Sequence, residues 1–322
     1  MTDIAMIRAA ADRMSGQVRE TPLLNAPLLD RLAGRRVLVK AECLQVTGSF
    51  KARGGWSALS ALSPKERSAG VIAFSSGNHA QGVAYAALRH GAPCVILMPA
   101  DAPQVKIANT RAYGAEVVLY DRQTQDRDAL GAALAAERGL TLIKPFDDPL
   151  VIAGQGTVGL EIARQAASVG VDHAEVLVPC GGGGLSSGIA LALEATSPAL
   201  RLRTVEPEGF DDTARSLASG TRQSNGAMSG SICDAIVTPT PGRLTFPILQ
   251  RLAGSGLVVS DRQALQAMAL AFAHLRIVIE PGGAVALAAA LFAPDLPDTV
   301  IAVASGGNVD PDLFSAALGQ AA

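Results

Sequence analysis

Short, β-branched apolar runs alternate along this chain with longer alanine-rich segments, and that alternation restricts the fold more than any single residue does. Candidate strands are VLVKAE (37–42), VIAFS (71–75), CVILMP (94–99), EVVLY (116–120), LTLIK (140–144), EVLVP (175–179), RLRTVE (201–206) and TVIAVAS (299–305). Between them lie helical patterns near 79–90, 103–113, 124–138, 154–168, 185–196, 260–275 and 283–292. The strand runs are nearly continuous in apolar residues, as parallel strands covered on both faces require. The pattern predicts an α/β fold of parallel-rich sheets flanked by helices. The stretch Lys144-Pro145-Phe146-Asp147-Asp148-Pro149 reads as a crossing between two lobes. Ligand-binding loops are then expected at the carboxyl ends of strands, facing the cleft between those lobes.

Composition agrees with a mostly buried chain. Of 322 residues, 49% are hydrophobic and only 17% charged, against about a quarter charged in an average domain. Aromatics are 4%, so Ala, Val, Leu and Ile must build the core. The net charge is −2 and no basic-aromatic stripe occurs, which argues against a nucleic-acid partner. No apolar run is a convincing membrane span. Residues 1–14 read as an amphipathic helix without the unbroken apolar core of a signal peptide. Cys43, Cys94, Cys180 and Cys233 are scattered with no CxxC pair, which reads as buried free thiols in a reducing, cytoplasmic setting.

Four constellations carry chemistry. Gly181-Gly182-Gly183-Gly184-Leu185 follows the run EVLVP and precedes a helix. Backbone N–H groups there can form a nest at a helix N-terminus, and a phosphate is the natural guest. One glycine would suffice for a tight turn alone. The spacing matches neither GxGxxG nor GxxxxGK[ST], so dinucleotide and P-loop readings lose support. In Thr47-Gly48-Ser49-Phe50-Lys51-Ala52-Arg53-Gly54-Gly55, a lysine sits beside an aromatic at a helix start. Desolvation there should lower its pKa and supply the neutral amine that a Schiff base or a general base needs. Ser75-Ser76-Gly77-Asn78-His79-Ala80-Gln81-Gly82 ends a strand and opens a helix, where Ser, Asn and backbone N–H groups could hold a carboxylate. A helix cap needs only one such residue, and His79 is equally readable as a helix-start residue without chemistry. Ser305-Gly306-Gly307-Asn308 again closes an apolar strand.

Taken together, in this order and spacing, the motifs resemble the fold-type-II pyridoxal-phosphate (PLP) enzymes, which are tryptophan synthase β-like, and most closely the threonine/serine dehydratase and serine racemase group. The resemblance runs over essentially the whole chain and includes Glu206-Pro207 and Glu280-Pro281. It implies a large PLP-binding domain (1–48 and 146–322) and a small domain (49–145). It implies that Lys51 carries PLP as a Schiff base and shuttles the Cα proton. Phe50 would pack on the pyridine ring, Asn78 would meet the ring hydroxyl, and Ser305 the ring nitrogen. Gly181, Gly182, Gly183, Gly184 and Leu185 would hold the phosphate. Ser75, Ser76, Asn78 and His79 would bind the substrate carboxylate, with Ser76 in the position of a second catalytic acid/base. Glu206, Asp212 and the carbonyl of Phe210 would hold a divalent cation such as Mg2+, although the same residues read alone make a solvated acidic loop. A homodimer is implied as well, and the chain leaves no tail for an appended amino-acid-sensing domain.

The activity this implies is PLP-dependent β-elimination of L-threonine or L-serine to a 2-oxo acid and ammonia, part of amino-acid catabolism. A neutral hydroxyl at the ring nitrogen favours prompt elimination over chemistry needing a long-lived carbanion. Serine racemase and 3-hydroxyaspartate ammonia-lyase are the alternatives; spare cations near the pocket would favour the latter, and nothing in the chain places Arg203, Arg243 or Arg276 there. Departures from the family pattern bear on the substrate. Cys233-Asp234-Ala235 stands where relatives carry Ala-Asp-Gly, the following Thr238-Pro239-Thr240-Pro241-Gly242 is stiff, and Glu280-Pro281-Gly282-Gly283 has a second glycine where relatives often have Ser or Thr.

Overall fold

The computed structural model describes residues 2–75, 77–102, 104–121, 123–227 and 229–319, the side chains of 105 and 128 excepted. Ser76, proposed above as a site residue, lies outside them.

Ten strands form two sheets among the described residues. They are β1 (Leu23–Asn25), β2 (Arg36–Lys40), β3 (Val71–Phe74), β4 (Cys94–Pro99), β5 (Glu116–Tyr120), β6 (Thr141–Leu142), β7 (Ala174–Pro179), β8 (Leu200–Pro207), β9 (Leu257–Val259) and β10 (Thr299–Val303). The larger sheet has the order β1-β2-β10-β7-β8-β9, and the smaller β5-β4-β3-β6. Among these strands only β1 runs antiparallel to its neighbour; β2, β10 and β7 stand in parallel register through Val39, Ala302 and Leu177. β4 and β7 are apolar through almost their whole length because helices cover both of their faces.

Strand order places the binding loops. In the larger sheet β8 and β9 continue from β7 in one direction, while β10 lies on its other side. In the smaller sheet β4 and β5 extend from one side of β3, and β6 pairs on the other. Each reversal is a topological switch point, where the loops leaving neighbouring strands part and open a crevice at the strand carboxyl ends. Gly181–Leu185 follows β7, Ser305 follows β10 and Ser75 follows β3. Three of the four constellations therefore leave strands at switch points.

Helix Lys51–Ser60 sits between helices Asn78–His90 and Pro149–Ser168. One apolar core joins Ile7, Trp56, Val83, Ile96, Ile152 and Leu191, so it runs from the smaller sheet into helices beside the larger one. Helix Pro149–Ser168 begins earlier than its apolar periodicity predicts. Asp148 Oδ1 accepts from the N–H groups of Leu150 and Val151, and Pro149 occupies the first turn, where its missing N–H costs nothing. No described helix is long and apolar enough to cross a membrane.

Candidate active site

Lys51 is the first residue of helix Lys51–Ser60, directly after Phe50. Its Nζ donates to the Pro145 carbonyl at 2.7 Å and lies 5.2 Å from the Phe50 ring centroid. Among the described residues, no carboxylate pairs with it. Burial alone lowers its pKa to about 8, because a charged ammonium loses hydration that a single carbonyl does not replace. Two residues on, Arg53 is locked in a buried network. It takes both oxygens of Glu42 at 2.8 and 2.7 Å and both oxygens of Glu161 at 2.6 and 2.9 Å, and Lys40 reaches Glu161 at 2.5 Å. The Lys51-bearing helix is thus pinned to β2 and to helix Pro149–Ser168. A cavity of about 290 Å³ borders this network, lined by Met14, Arg19, Arg53, Thr157, Glu161 and Arg164 among others, and contains none of the candidate site residues.

The glycine loop is built as a cradle. Gly183 adopts φ +88°, left-handed backbone that strains any side-chain-bearing residue, and caps helix Gly184–Thr196. A Cβ at Gly182 would run into the Phe146 ring, and Thr245 Oγ1 donates to the Gly182 carbonyl at 2.7 Å. The loop's carbonyl is thus turned away and occupied, while the first N–H groups of the following helix have no intrahelical acceptors. Beside Gly181 stands Thr238, whose buried Oγ1 has no hydrogen-bond partner among the described residues.

The other two constellations meet the lysine. The Phe50 N–H donates to the Ser305 carbonyl at 3.1 Å, and Ser49 bridges to Gly306. Asn78 Oδ1 accepts from Asn308 Nδ2 at 2.7 Å, and Asn78 Nδ2 donates to Glu280 Oε1 at 2.6 Å. Ser75 Oγ accepts from the Gly77 N–H at 3.1 Å. His79 is 3% exposed, its Nε2 set 2.9 Å from the Ile143 carbonyl and its Nδ1 without a partner among the described residues. Burial and the neighbouring Lys51 charge push its pKa down to about 3, so it is neutral at any physiological pH.

Glu206 lies near the end of β8 and Asp212 opens helix Asp212–Ser219, while Glu208 and Gly209 between them are exposed. Glu206 and Asp212 are both buried. Glu206 accepts from the N–H groups of Thr213 and Ala214 at 2.9 and 2.7 Å; Asp212 Oδ1 accepts from Asn225 at 2.6 Å, and its Oδ2 has no described partner. Burial raises Glu206 to about 8, helped by Asp212, and burial raises Asp212 to about 6. Among the described residues, no group of three or more His, Cys, Asp or Glu is placed to hold a metal ion.

Residues 14–306 match the family described as pyridoxal-phosphate dependent enzyme. This chain belongs to that family. The enzyme is 42% identical over 311 residues to an L-threo-3-hydroxyaspartate ammonia-lyase of Pseudomonas sp, covering 96% of each chain. It is 36% identical over 318 residues to a serine racemase of Oryza sativa subsp. indica, covering 96% of the enzyme and 91% of that relative. The crystal structure of a threonine deaminase from T.th. superposes with a TM-score of 0.90 at 47% identity, covering 96% of the enzyme and 99% of that chain. The fold-type-II reading and the parallel-rich α/β architecture hold. Pro145, Phe146, Thr238, Thr245 and Glu280 carried no assigned role in the motif reading, yet the structure sets each against a candidate residue.

Proposed function

We propose that this enzyme is an ammonia-lyase that eliminates the hydroxyl of a 3-hydroxy amino acid and releases a 2-oxo acid and ammonia. The observation that carries this is Lys51: a buried amine with no counter-ion among the described residues, neutral above about pH 8, whose acceptor Pro145 adjoins Phe146, the ring packed against Gly182 of the glycine loop. The residues fit PLP: the orphaned, buried Thr238 hydroxyl stands beside Gly181, and glycine at 182, 183 and 184 lets Phe146 and Thr245 pack behind a loop whose N–H groups no side chain covers. When bound, PLP supplies an aldehyde that captures amines and a ring that stabilises negative charge at Cα. Gly181, Gly182, Gly183, Gly184 and Leu185 would present N–H groups to the phosphate, and Phe50 would pack on the ring. Ser305 would meet the ring nitrogen and Asn78 the ring hydroxyl. Lys51 would hold the cofactor, and its neutral amine would serve as the base for the substrate's Cα proton. Ser75, Asn78 and the backbone N–H groups at the helix start, that of His79 included, would receive the substrate carboxylate, and Ser76 is proposed in the same role; the neutral His79 ring, whose Nε2 donates to the Ile143 carbonyl, has no N–H left to offer. Residues 1–48 with 146–322 serve as the large domain and 49–145 as the small one.

L-threonine and L-serine remain the leading substrates. One observation favours 3-hydroxyaspartate as a second reading. Arg203 is tied to Glu175 and Ser255, and Arg243 and Arg276 face solvent. One other cation lies near the candidate residues: Lys106, paired with Asp234 at 3.2 Å and close enough to Glu280 to favour its anion. It is the group proposed to receive a second carboxylate. Racemisation needs an acid/base on the face opposite Lys51, and Ser76 is the candidate. A divalent cation such as Mg2+ is proposed at Glu206, Asp212 and the Phe210 carbonyl, supported by Asp212 Oδ2, which no described residue partners.

The test is a panel of L- and D-serine, L-threonine and L-threo-3-hydroxyaspartate with oxo-acid release and chiral analysis of recovered substrate, with and without Mg2+. Oxo acid from any of them supports elimination, and inverted serine alone supports the racemase. Lys51→Ala should lower turnover by at least about 10³-fold and lose the borohydride-sensitive visible band. Full turnover in that variant would refute the assignment. Lys106→Gln should raise KM about tenfold for hydroxyaspartate, the value of one charge-assisted contact, and leave that for threonine unchanged if the second reading holds.

A further inference from the structure

Against the turn that carries Ser305 the structure holds a buried carboxyl to which the chemistry above gives no task. Glu280, at the mouth of helix Pro281–Phe292, is 4% exposed. Its Oε1 accepts from Asn78 Nδ2 at 2.6 Å. The polarity of that bond is set by a chain of partners. The Thr47 carbonyl can only accept, so the Asn308 atom 2.8 Å from it must be the amide nitrogen. That same nitrogen donates to Asn78 at 2.7 Å, so Asn78 turns its oxygen to Asn308 and its nitrogen to Glu280. The Asn78 nitrogen carries two hydrogens; Glu280 takes one, and one remains to be given elsewhere.

The backbone is shaped around this bond. A Cβ at Gly306 would land on Glu280 Oε1 and lie 3.1 Å from Asn78 Nδ2. The Glu280 N–H donates to the Gly306 carbonyl at 3.0 Å, tying the carboxyl to the same turn that carries Ser305. Gly306 therefore keeps open the space in which Asn78 and Glu280 meet.

We infer that Glu280 is a positioning residue that acts through Asn78: it fixes the amide so that its second N–H faces the ring hydroxyl of the cofactor, and its charge sets how readily that hydroxyl ionises. This rests on the cofactor reading given above. The groups facing Glu280 are Asn78, which favours its anion, Asp234, which opposes it, and Lys106, which favours it. Cys43 is near enough to feel the Glu280 charge, but its thiol is pushed up to about 12 by burial and is therefore neutral. Burial outweighs the Asn78 bond, and the Glu280 carboxyl titrates at about 7. Above that pH its negative charge opposes a second negative charge on the ring oxygen.

The experiment uses the holoenzyme and its cofactor spectrum. Glu280→Ala, Asn78→Ala and the double variant are compared for PLP affinity by absorbance titration. Each single change should weaken binding about tenfold, the value of one hydrogen bond. The double variant should be no weaker than Asn78→Ala alone, because Glu280 works only through that amide. Losses that multiply in the double variant would overturn the inference. Glu280→Gln can still accept from Asn78 and should bind PLP within about threefold of wild type. In wild type the long-wavelength share of the cofactor absorbance should fall as pH rises through about 7, and in Glu280→Gln that step should vanish. An unchanged step in Glu280→Gln is equally fatal to it. A wild-type chain that takes up no PLP overturns the cofactor reading itself, and the inference with it.

Discussion

At the scale of single residues, Lys51, the proposed cofactor lysine, is set apart by burial with no described acidic group to stabilise its charge. An ordinary lysine titrates at about 10.4, whereas burial holds this one at about 8. Covalent capture of free PLP by the apo protein needs the neutral amine. Its rate, followed through the visible absorbance, should climb with pH and level off just above 8, whereas an unshifted lysine would keep climbing through about 10. The linked effect on folding has a definite sign. The unfolded chain binds this proton more tightly than the folded one, so apo-protein stability should rise as pH goes from about 8 toward 10. His79 stays neutral down to about 3 and adds no step across the physiological range. The desolvation of Lys51 was legible in Phe50-Lys51 opening a helix. Its partner was not: the Pro145 carbonyl lies 94 residues away, and a backbone carbonyl leaves no mark on the residue type that bears it. The orphaned Thr238 hydroxyl was hidden for the same reason, since only the fold sets it beside Gly181.

At the scale of elements, the motifs hold their places because charged side chains staple them. Arg53, Glu42, Lys40 and Glu161 form a network with Arg53, Glu42 and Lys40 essentially without solvent contact. Removing one member strands the others without a partner in low dielectric, which costs about 3–5 kcal/mol. Glu42→Gln should therefore lower the unfolding free energy by that order, read from urea denaturation at neutral pH. Arg53 holds Glu42 well below the ordinary carboxylate range despite burial, so the contribution is present above the unfolded pKa and is lost as pH falls through the folded one. The variant should then lose stability at neutral pH and converge with wild type in acid. Apolar runs long enough to show periodicity were legible: β4, β5 and β7 fall within a residue of their expected bounds. The edge strands β1 and β9 are three residues each, too short to show alternation, and form because a neighbour's edge is free. Helices Pro27–Ala33, Asp212–Ser219 and Thr245–Leu252 span only two turns or so, and tertiary packing decides them rather than pattern.

At the scale of the whole molecule, the site belongs to no single segment. Gly181–Leu185 and Ser305 leave the larger sheet, Ser75 and Asn78 leave the smaller one, and Lys51 begins the helix packed between helices of both. A ligand touching all of them binds the folded chain and has no counterpart in the unfolded one, so its binding free energy adds to stability. At free PLP about 100 times its Kd this amounts to about 2.7 kcal/mol, which for a chain of this size is a rise in Tm of roughly 5 °C. The apolar core that joins Val71 and Ile96 of the smaller sheet to Ile7, Ile152 and Leu191 makes the two halves one cooperative unit. Calorimetry of the apo protein should accordingly give one transition, and PLP should move it as a whole. Two separate apo transitions, only one of them shifted by PLP, would mean that the shared core does not couple the halves and that the cofactor is held by one of them alone.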